Sequence, residues 1–160
     1  MENNEIILPF LKWAGGKRWL RCQPEFRIPE FEGRYIEPFL GGGSIFFSLK
    51  PKSAILSDLN HDLVSAYRAL QTEHRKVTRH LSQHAALHSS KHYYNVRDKF
   101  RPRSEAGKAA KFLYLNRTCW NGLYRVNRLG KFNVPKGTKS AVLMDTDNFS
   151  SVAASLQNAD

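Results

Sequence analysis

Apolar positions fall into two short runs on either side of a glycine-rich bend. Tyr35-Ile36 reads as a short strand ending in Glu37-Pro38-Phe39-Leu40, and Ala54-Ile55-Leu56 as a second ending at Ser57-Asp58. Between them lie Gly41-Gly42-Gly43 and a helical stretch from Ser44 to Leu49, with Ser44 placed to cap it and Pro51 to stop it. Past the second strand, Leu63, Tyr67 and Leu70 share one helical face in a segment beginning near Asp62. Strand, glycine loop, helix, strand is half of a doubly wound α/β nucleotide-binding unit.

The pattern then changes. Residues 72–116 read as helical and polar, and Ser104-Glu105 opens a helix with Ala109, Phe112, Leu113 and Leu115 as its apolar stripe. From Thr118 to Val134, aromatic and β-branched residues surround Asn127-Arg128-Leu129-Gly130, which predicts a β-hairpin with Gly130 at positive φ. An α-rich insert ending in a hairpin is thus attached to an α/β core.

The 160 residues, 41% hydrophobic and 12% aromatic, suffice for one compact core. No apolar run approaches the ~18 residues of a membrane span. The opening Met1-Glu2-Asn3-Asn4-Glu5 is acidic where a signal peptide is basic, and Cys22 and Cys119 stand far apart without metal-ligand spacing. A cytoplasmic protein with reduced thiols is expected.

Charge adds a partner. Residues 1–60 carry a net +1, whereas 61–140 hold 17 basic and 4 acidic side chains, and three aspartates fall in the last twenty residues. Such a basic block favours a polyanion, most simply nucleic acid.

The glycine loop narrows the ligand. Glu37 and Asp58 lie 21 residues apart at two strand ends, the spacing at which the second acid accepts hydrogen bonds from ribose hydroxyls. The dinucleotide fingerprint needs a small residue where Phe46 stands, and Arg18 after Gly16-Lys17 breaks a phosphate loop. A nucleoside without phosphates fits better, and S-adenosylmethionine suits carboxylates and aromatic faces. Trp13, with Gly15, Gly16 and Lys17, would add an aromatic wall and a cation, a core aromatic being the other reading of Trp13.

Four segments resemble the motifs of Dam-like DNA adenine methyltransferases, in the family's order. They are FLKWAGGK at 10–17, EPFLGGGS at 37–44, LSDLN at 56–60 and FLYLNRTCWNGLYRVNRLGKFNVPKG at 112–137. The resemblance implies an α/β fold: a class I methyltransferase (Rossmann-like) core, here incomplete, with an inserted helical DNA-recognition domain ending in the hairpin. Residues 1–60 would belong to the S-adenosylmethionine-binding core, 61–140 to the insert, and 141–160 to the start of the return. It further implies Trp13, Lys17 and Asp58 as cofactor contacts, with Glu37, Phe39, Gly41 and Gly43 as pocket wall. Lys12, Trp120, Asn121, Arg125 and Pro135 match positions that touch double-stranded DNA, with a GATC-like site. Trp120, read as sitting at a hairpin tip, would fill the gap left by a flipped base, with an ordinary core aromatic as the other reading, and Arg125 would pair with guanine. For Arg117 a structural salt bridge is as good a reading as a DNA contact.

The family's catalytic Asp-Pro-Pro-Tyr has no counterpart here, since the sequence contains no Pro-Pro pair. The expectation is therefore the N-terminal portion of an enzyme, inactive alone. A monomer is expected at full length, and association through the open edge of the first strand in the shorter chain. A DNA-binding or regulatory module without chemistry is the alternative, and a dinucleotide enzyme is disfavoured by Phe46. His80, His84, His88 and His92 recur every fourth residue and would line one helical face; with no carboxylate or cysteine beside them, a solvated face is preferred to a metal site.

Overall fold

The computed structural model describes residues 7–160, apart from the side chain of Arg21; the acidic opening Met1 to Glu5 lies outside the described residues. Strand β1 (Tyr35–Glu37) leads through helix α1 (Ser44–Leu49) to strand β2 (Ala54–Leu56). The two strands pair in parallel, Tyr35 opposite Ala54 and Glu37 opposite Leu56, as the strand–loop–helix–strand reading requires. On the far side of β2, Ala159 forms a parallel bridge with Ala54, and Leu56 N–H donates to the Asp160 carbonyl. Gln71 steadies that segment by donating to the carbonyls of Leu156 and Ala159.

One expectation fails at α1. Its N-cap is Gly43 at φ +67°, and Ser44 is the first helical residue, with no side-chain cap bond. The left-handed entry needs glycine: a Cβ there would lie 2.9 Å from the Tyr67 hydroxyl.

Helix α2 (His61–Ala86) starts on Asn60, whose side chain accepts from Leu63 N–H, and kinks at Glu73. Its first half buries Leu63, Ala66, Tyr67 and Leu70; Tyr67 packs edge-on against Phe10, 5.2 Å between ring centres. Its second half buries Val77, Leu81 and His84 toward helix α4 (Glu105–Thr118). Between them runs α3 (Ser90–Asp98), capped by Ser89, and α4 is capped by Ser104 as the sequence indicates. Helix α4 is buried on almost every side, from Ala106 to Thr118. Helix α5 (Phe149–Leu156) closes the core, with Phe149, Val152 and Leu156 inside.

The predicted hairpin is a looser arm. It is held by two isolated antiparallel bridges, Cys119 with Lys136 and Val126 with Phe132, instead of continuous strands. Gly130 does turn it, at φ +70°. The four histidines do not share a helix, because α2 ends at Ala86 and His92 belongs to α3.

Arg117 resolves as structural. Its guanidinium pairs with both oxygens of Asp147 at 2.6 and 2.7 Å and donates to the carbonyls of Phe10 and Val142. Both side chains are buried, so one residue joins the N-terminal segment, α4 and the approach to α5. Among the described residues no helix is long and apolar enough to cross a membrane.

Candidate functional site

The carboxyl ends of β1 and β2 open onto the glycine loop. Gly41 N–H donates to Asp58 Oδ2 at 2.9 Å, and Asn60 N–H donates to Oδ1 at 3.0 Å, so the carboxylate ties the loop to the start of α2. Gly41 adopts φ +52°, and a Cβ on it would lie 2.8 Å from Cδ1 of Trp13: the indole rests directly on the loop backbone. Tyr67 O–H donates to the Gly41 carbonyl at 3.1 Å; burial, with Glu37 and Asp58 nearby, pushes its pKa well up, so it stays a neutral donor.

Lys17 Nζ donates to the Phe39 carbonyl at 2.6 Å and lies 3.0 Å from Glu37 Oε1. Glu37 is buried and its Oε2 accepts from Tyr35 O–H, yet Oε1 accepts no aligned hydrogen bond despite the nearby ammonium. A buried carboxylate oxygen with spare acceptor capacity suits a cationic ligand group. Trp13, Lys17, Glu37, Gly41 and Asp58 thus meet around one loop. Phe39, just before the loop, is 72% exposed, and Gly43 ends the loop packed against Phe47 and Tyr67.

A second group of residues surrounds the base of the arm. Trp120 opens a single 3-10 turn, Trp120–Gly122, directly after α4. Its N–H donates to the Pro135 carbonyl at 2.9 Å, so Trp120 sits at the root of the arm, not at its tip, which is Asn127 to Gly130. The indole is 53% exposed, which excludes a core role. Asn121 is exposed in the left-handed region at φ +53°, a conformation asparagine tolerates. Lys12 joins them: its stem covers Gly122, where a Cβ would lie 2.6 Å from Lys12 Cδ. The neighbouring Lys139 ammonium lowers the Lys12 pKa, with burial adding to the effect, and two such cations side by side favour a bound anion. Arg125 lies farther along the arm; Asn133 Oδ1 accepts from its Nε at 3.0 Å, leaving the terminal fork for an outside acceptor.

Sequence reasoning missed the residues that hold these groups. Asn116 accepts from Lys12 N–H and donates to the Lys12 and Gly122 carbonyls, fixing the cation to the Trp120 turn. Its signal was visible: a polar pair, Asn116-Arg117, inside a buried helix has to find partners. Tyr67 was legible only as part of the apolar face of α2, and Tyr124 and Asp147 gave no signal. The histidines form a corner around Tyr114, with His84 Nδ1 3.0 Å from His92 Nε2 and His88 Nδ1 2.9 Å from Tyr114 Oη. No group of three or more His, Cys, Asp or Glu among the described residues is placed to hold a metal ion.

A family model described as D12 class N6 adenine-specific DNA methyltransferase matches residues 13–160. The chain belongs to this family. It is 36% identical over 165 residues to the type II methyltransferase M1.LlaDCHI of Lactococcus lactis subsp. cremoris, covering 99% of this chain and 58% of the relative. To the type II methyltransferase M.MjaIII of Methanocaldococcus jannaschii it is 39% identical over 173 residues, covering 95% and 60%. To the DNA adenine methylase of Serratia marcescens it is 39% identical over 131 residues, covering 80% and 48%. The D12-class chain therefore spans about half to three-fifths of the length of these relatives.

Proposed function

We propose that this D12-class chain is the cofactor-binding and DNA-recognising portion of a site-specific adenine-N6 methyltransferase acting on duplex DNA at a GATC-like site. In this reading the parallel strands belong to a class I core, and residues 61–140 form the recognition insert. The observation that carries it is the convergence of Trp13, Lys17, Glu37 and Asp58 on the Gly41 loop, with spare acceptor capacity at Glu37 Oε1.

The residues present fit S-adenosylmethionine. Glu37 offers its buried oxygen to an ammonium, and Lys17 its remaining N–H donors to a carboxylate. Asp58, already oriented by two backbone N–H groups, has lone pairs left for ribose hydroxyls. Trp13 supplies a flat wall beside Gly41, Phe39 covers the rim, and Gly43 lets the chain turn beneath. When bound, the cofactor supplies the methyl group. On the DNA side Lys12 neutralises backbone phosphate, Trp120 and Asn121 enter the stack, Pro135 braces their turn, and Arg125 reads guanine.

Calorimetric titration of the 160-residue chain with S-adenosylmethionine tests the pocket. Saturable binding that Asp58→Ala weakens at least about tenfold is expected, the loss of a charge-assisted contact. A folded chain that releases no heat, or an Asp58→Ala variant that binds equally well, contradicts the assignment. Methyl transfer to adenine by this chain alone is expected to be undetectable, because the sequence holds no Asp-Pro-Pro-Tyr; incorporation of labelled methyl groups contradicts that. Duplex binding that persists in a folded chain indifferent to S-adenosylmethionine favours the module without chemistry.

A further inference from the structure

Tyr124 lies on the arm, one residue before Arg125, yet its contacts reach the other site. Its ring stands 5.5 Å from Trp13 and 5.5 Å from Phe112, centre to centre, and 5.7 Å from Phe132. Its hydroxyl donates to Asp62 Oδ2 at 2.5 Å, in the first turn of α2. Burial raises the tyrosine pKa, and the hydrogen bond and charge of Asp62 raise it further, so the phenol remains a donor over the working pH range.

Two routes therefore run from the arm to the glycine loop. One is aromatic: Tyr124 packs on Trp13, and Trp13 packs on Gly41. The other is polar: Tyr124 holds Asp62, which follows Asn60 at the start of α2, and Asn60 N–H is held by the same Asp58 that binds Gly41 N–H. Both end on Gly41. Nothing in the chemistry of either site requires a phenol here, since neither the DNA nor the nucleoside is assigned to it.

We propose that Tyr124 is a positioning residue that couples the DNA-reading arm to the cofactor pocket, so that each ligand raises the affinity for the other. The proposal rests on the function proposed above. A cofactor against Trp13 and Asp58 orders the surface on which Tyr124 is clasped, and the clasp sets the direction in which the arm meets DNA. The second ligand then meets contacts already ordered by the first, and the effect is necessarily reciprocal.

The test is the cofactor dissociation constant of the 160-residue chain, measured by calorimetry with and without a saturating GATC duplex. The wild-type chain is expected to bind S-adenosylmethionine about tenfold more tightly with DNA present, within the usual range of such couplings. Tyr124→Phe, which keeps the ring and loses the clasp, is expected to reduce that ratio to about threefold, and Tyr124→Leu to bring it to about one. Asp62→Asn, which keeps an acceptor, retains more coupling than Asp62→Ala. A purely structural tyrosine would lower the melting temperature and leave the ratio unchanged. An unchanged ratio in folded Tyr124→Phe and Tyr124→Leu, or a wild-type ratio of one, overturns the coupling while both sites stand. A wild-type chain that binds neither ligand overturns the underlying function and the coupling with it.

Discussion

Arg117 and Gly41 show how much a single residue controls in this chain. The Arg117–Asp147 pair is buried, bidentate and completed by the carbonyls of Phe10 and Val142, so it is costly to break and contributes less than that cost in net stability. Asp147→Ala leaves a guanidinium buried against carbonyls alone, and a loss of about 3 kcal/mol is expected from urea denaturation. A loss below about 1 kcal/mol would mean that the pair is solvated and the lock absent. Gly41 acts through space instead. Any side chain there strains φ +52° and drives a Cβ to 2.8 Å from the Trp13 indole. Gly41→Ala is expected to weaken S-adenosylmethionine binding by more than about tenfold, because Trp13 must leave the pocket wall; Gly42→Ala, whose nearest neighbour lies at 3.9 Å, serves as the milder comparison by the same titration.

At the scale of elements, the junction of α2, α3 and α4 contains its own titration. Burial lowers the His84 pKa to about 4, with His92, His80 and Lys111 adding like charge, and burial also lowers those of His88 and His92. Lys136 faces His88 as well, so the charged groups acting on His84 and His88 are lysines and other histidines, which disfavour a further proton. The unfolded chain takes up protons near the ordinary histidine pKa of about 6.5, before the folded corner does. The stability of this junction is therefore complete above that pH and is withdrawn as the pH falls toward 4. Urea midpoints measured from pH 7 to 4.5 should report a loss on the order of 2 kcal/mol, and His84→Gln should flatten the profile. A profile with equal slope in wild type and variant would place the loss elsewhere. The same junction shows what the sequence could and could not disclose. The Ser104 cap is local chemistry, and the apolar stripes of α2 and α4 are periodic, so those two helices were legible; the separate start of α3 at Ser89 was not read. The histidine spacing was misleading because a four-residue repeat continues across a helix break that only packing reveals. Ser44 misled because the chain enters α1 through a left-handed residue, Gly43 at φ +67°, crowded by Phe47 of α1 and Tyr67 of α2.

For the molecule as a whole, the charge asymmetry read from the sequence predicts a polyanion but not which cations meet it. Several are spent internally: Arg117 on Asp147, Arg97 on Asp98, Lys108 on Glu105, Lys76 on Glu73. That Glu37, Gly41 and Asp58 come together was legible because the glycine loop and the two strand ends lie close in sequence, whereas Trp13 and Lys17 arrive from a separate segment. The link between pocket and arm was not, because Tyr124 and Asp62 are separated by 62 positions and meet only through the fold. That separation of roles gives two distinguishable outcomes on DNA. Lys12, beside Lys139 at the root of the arm, is placed for phosphate, so Lys12→Gln should weaken all duplexes about equally and reduce the slope of log affinity against log salt by about 1. Arg125 is exposed and has its Nε occupied by Asn133, so its two terminal nitrogens are the donors available for the proposed bond to guanine. Arg125→Gln should therefore leave the salt slope nearly intact and cost about 1–3 kcal/mol on the preferred sequence alone, with Asn133→Ala reproducing part of that loss by freeing the guanidinium. Anisotropy titrations on a GATC duplex and a scrambled one, at several salt concentrations, separate the two. If both variants lower the slope and spare discrimination, Arg125 is a phosphate contact and sequence is read elsewhere.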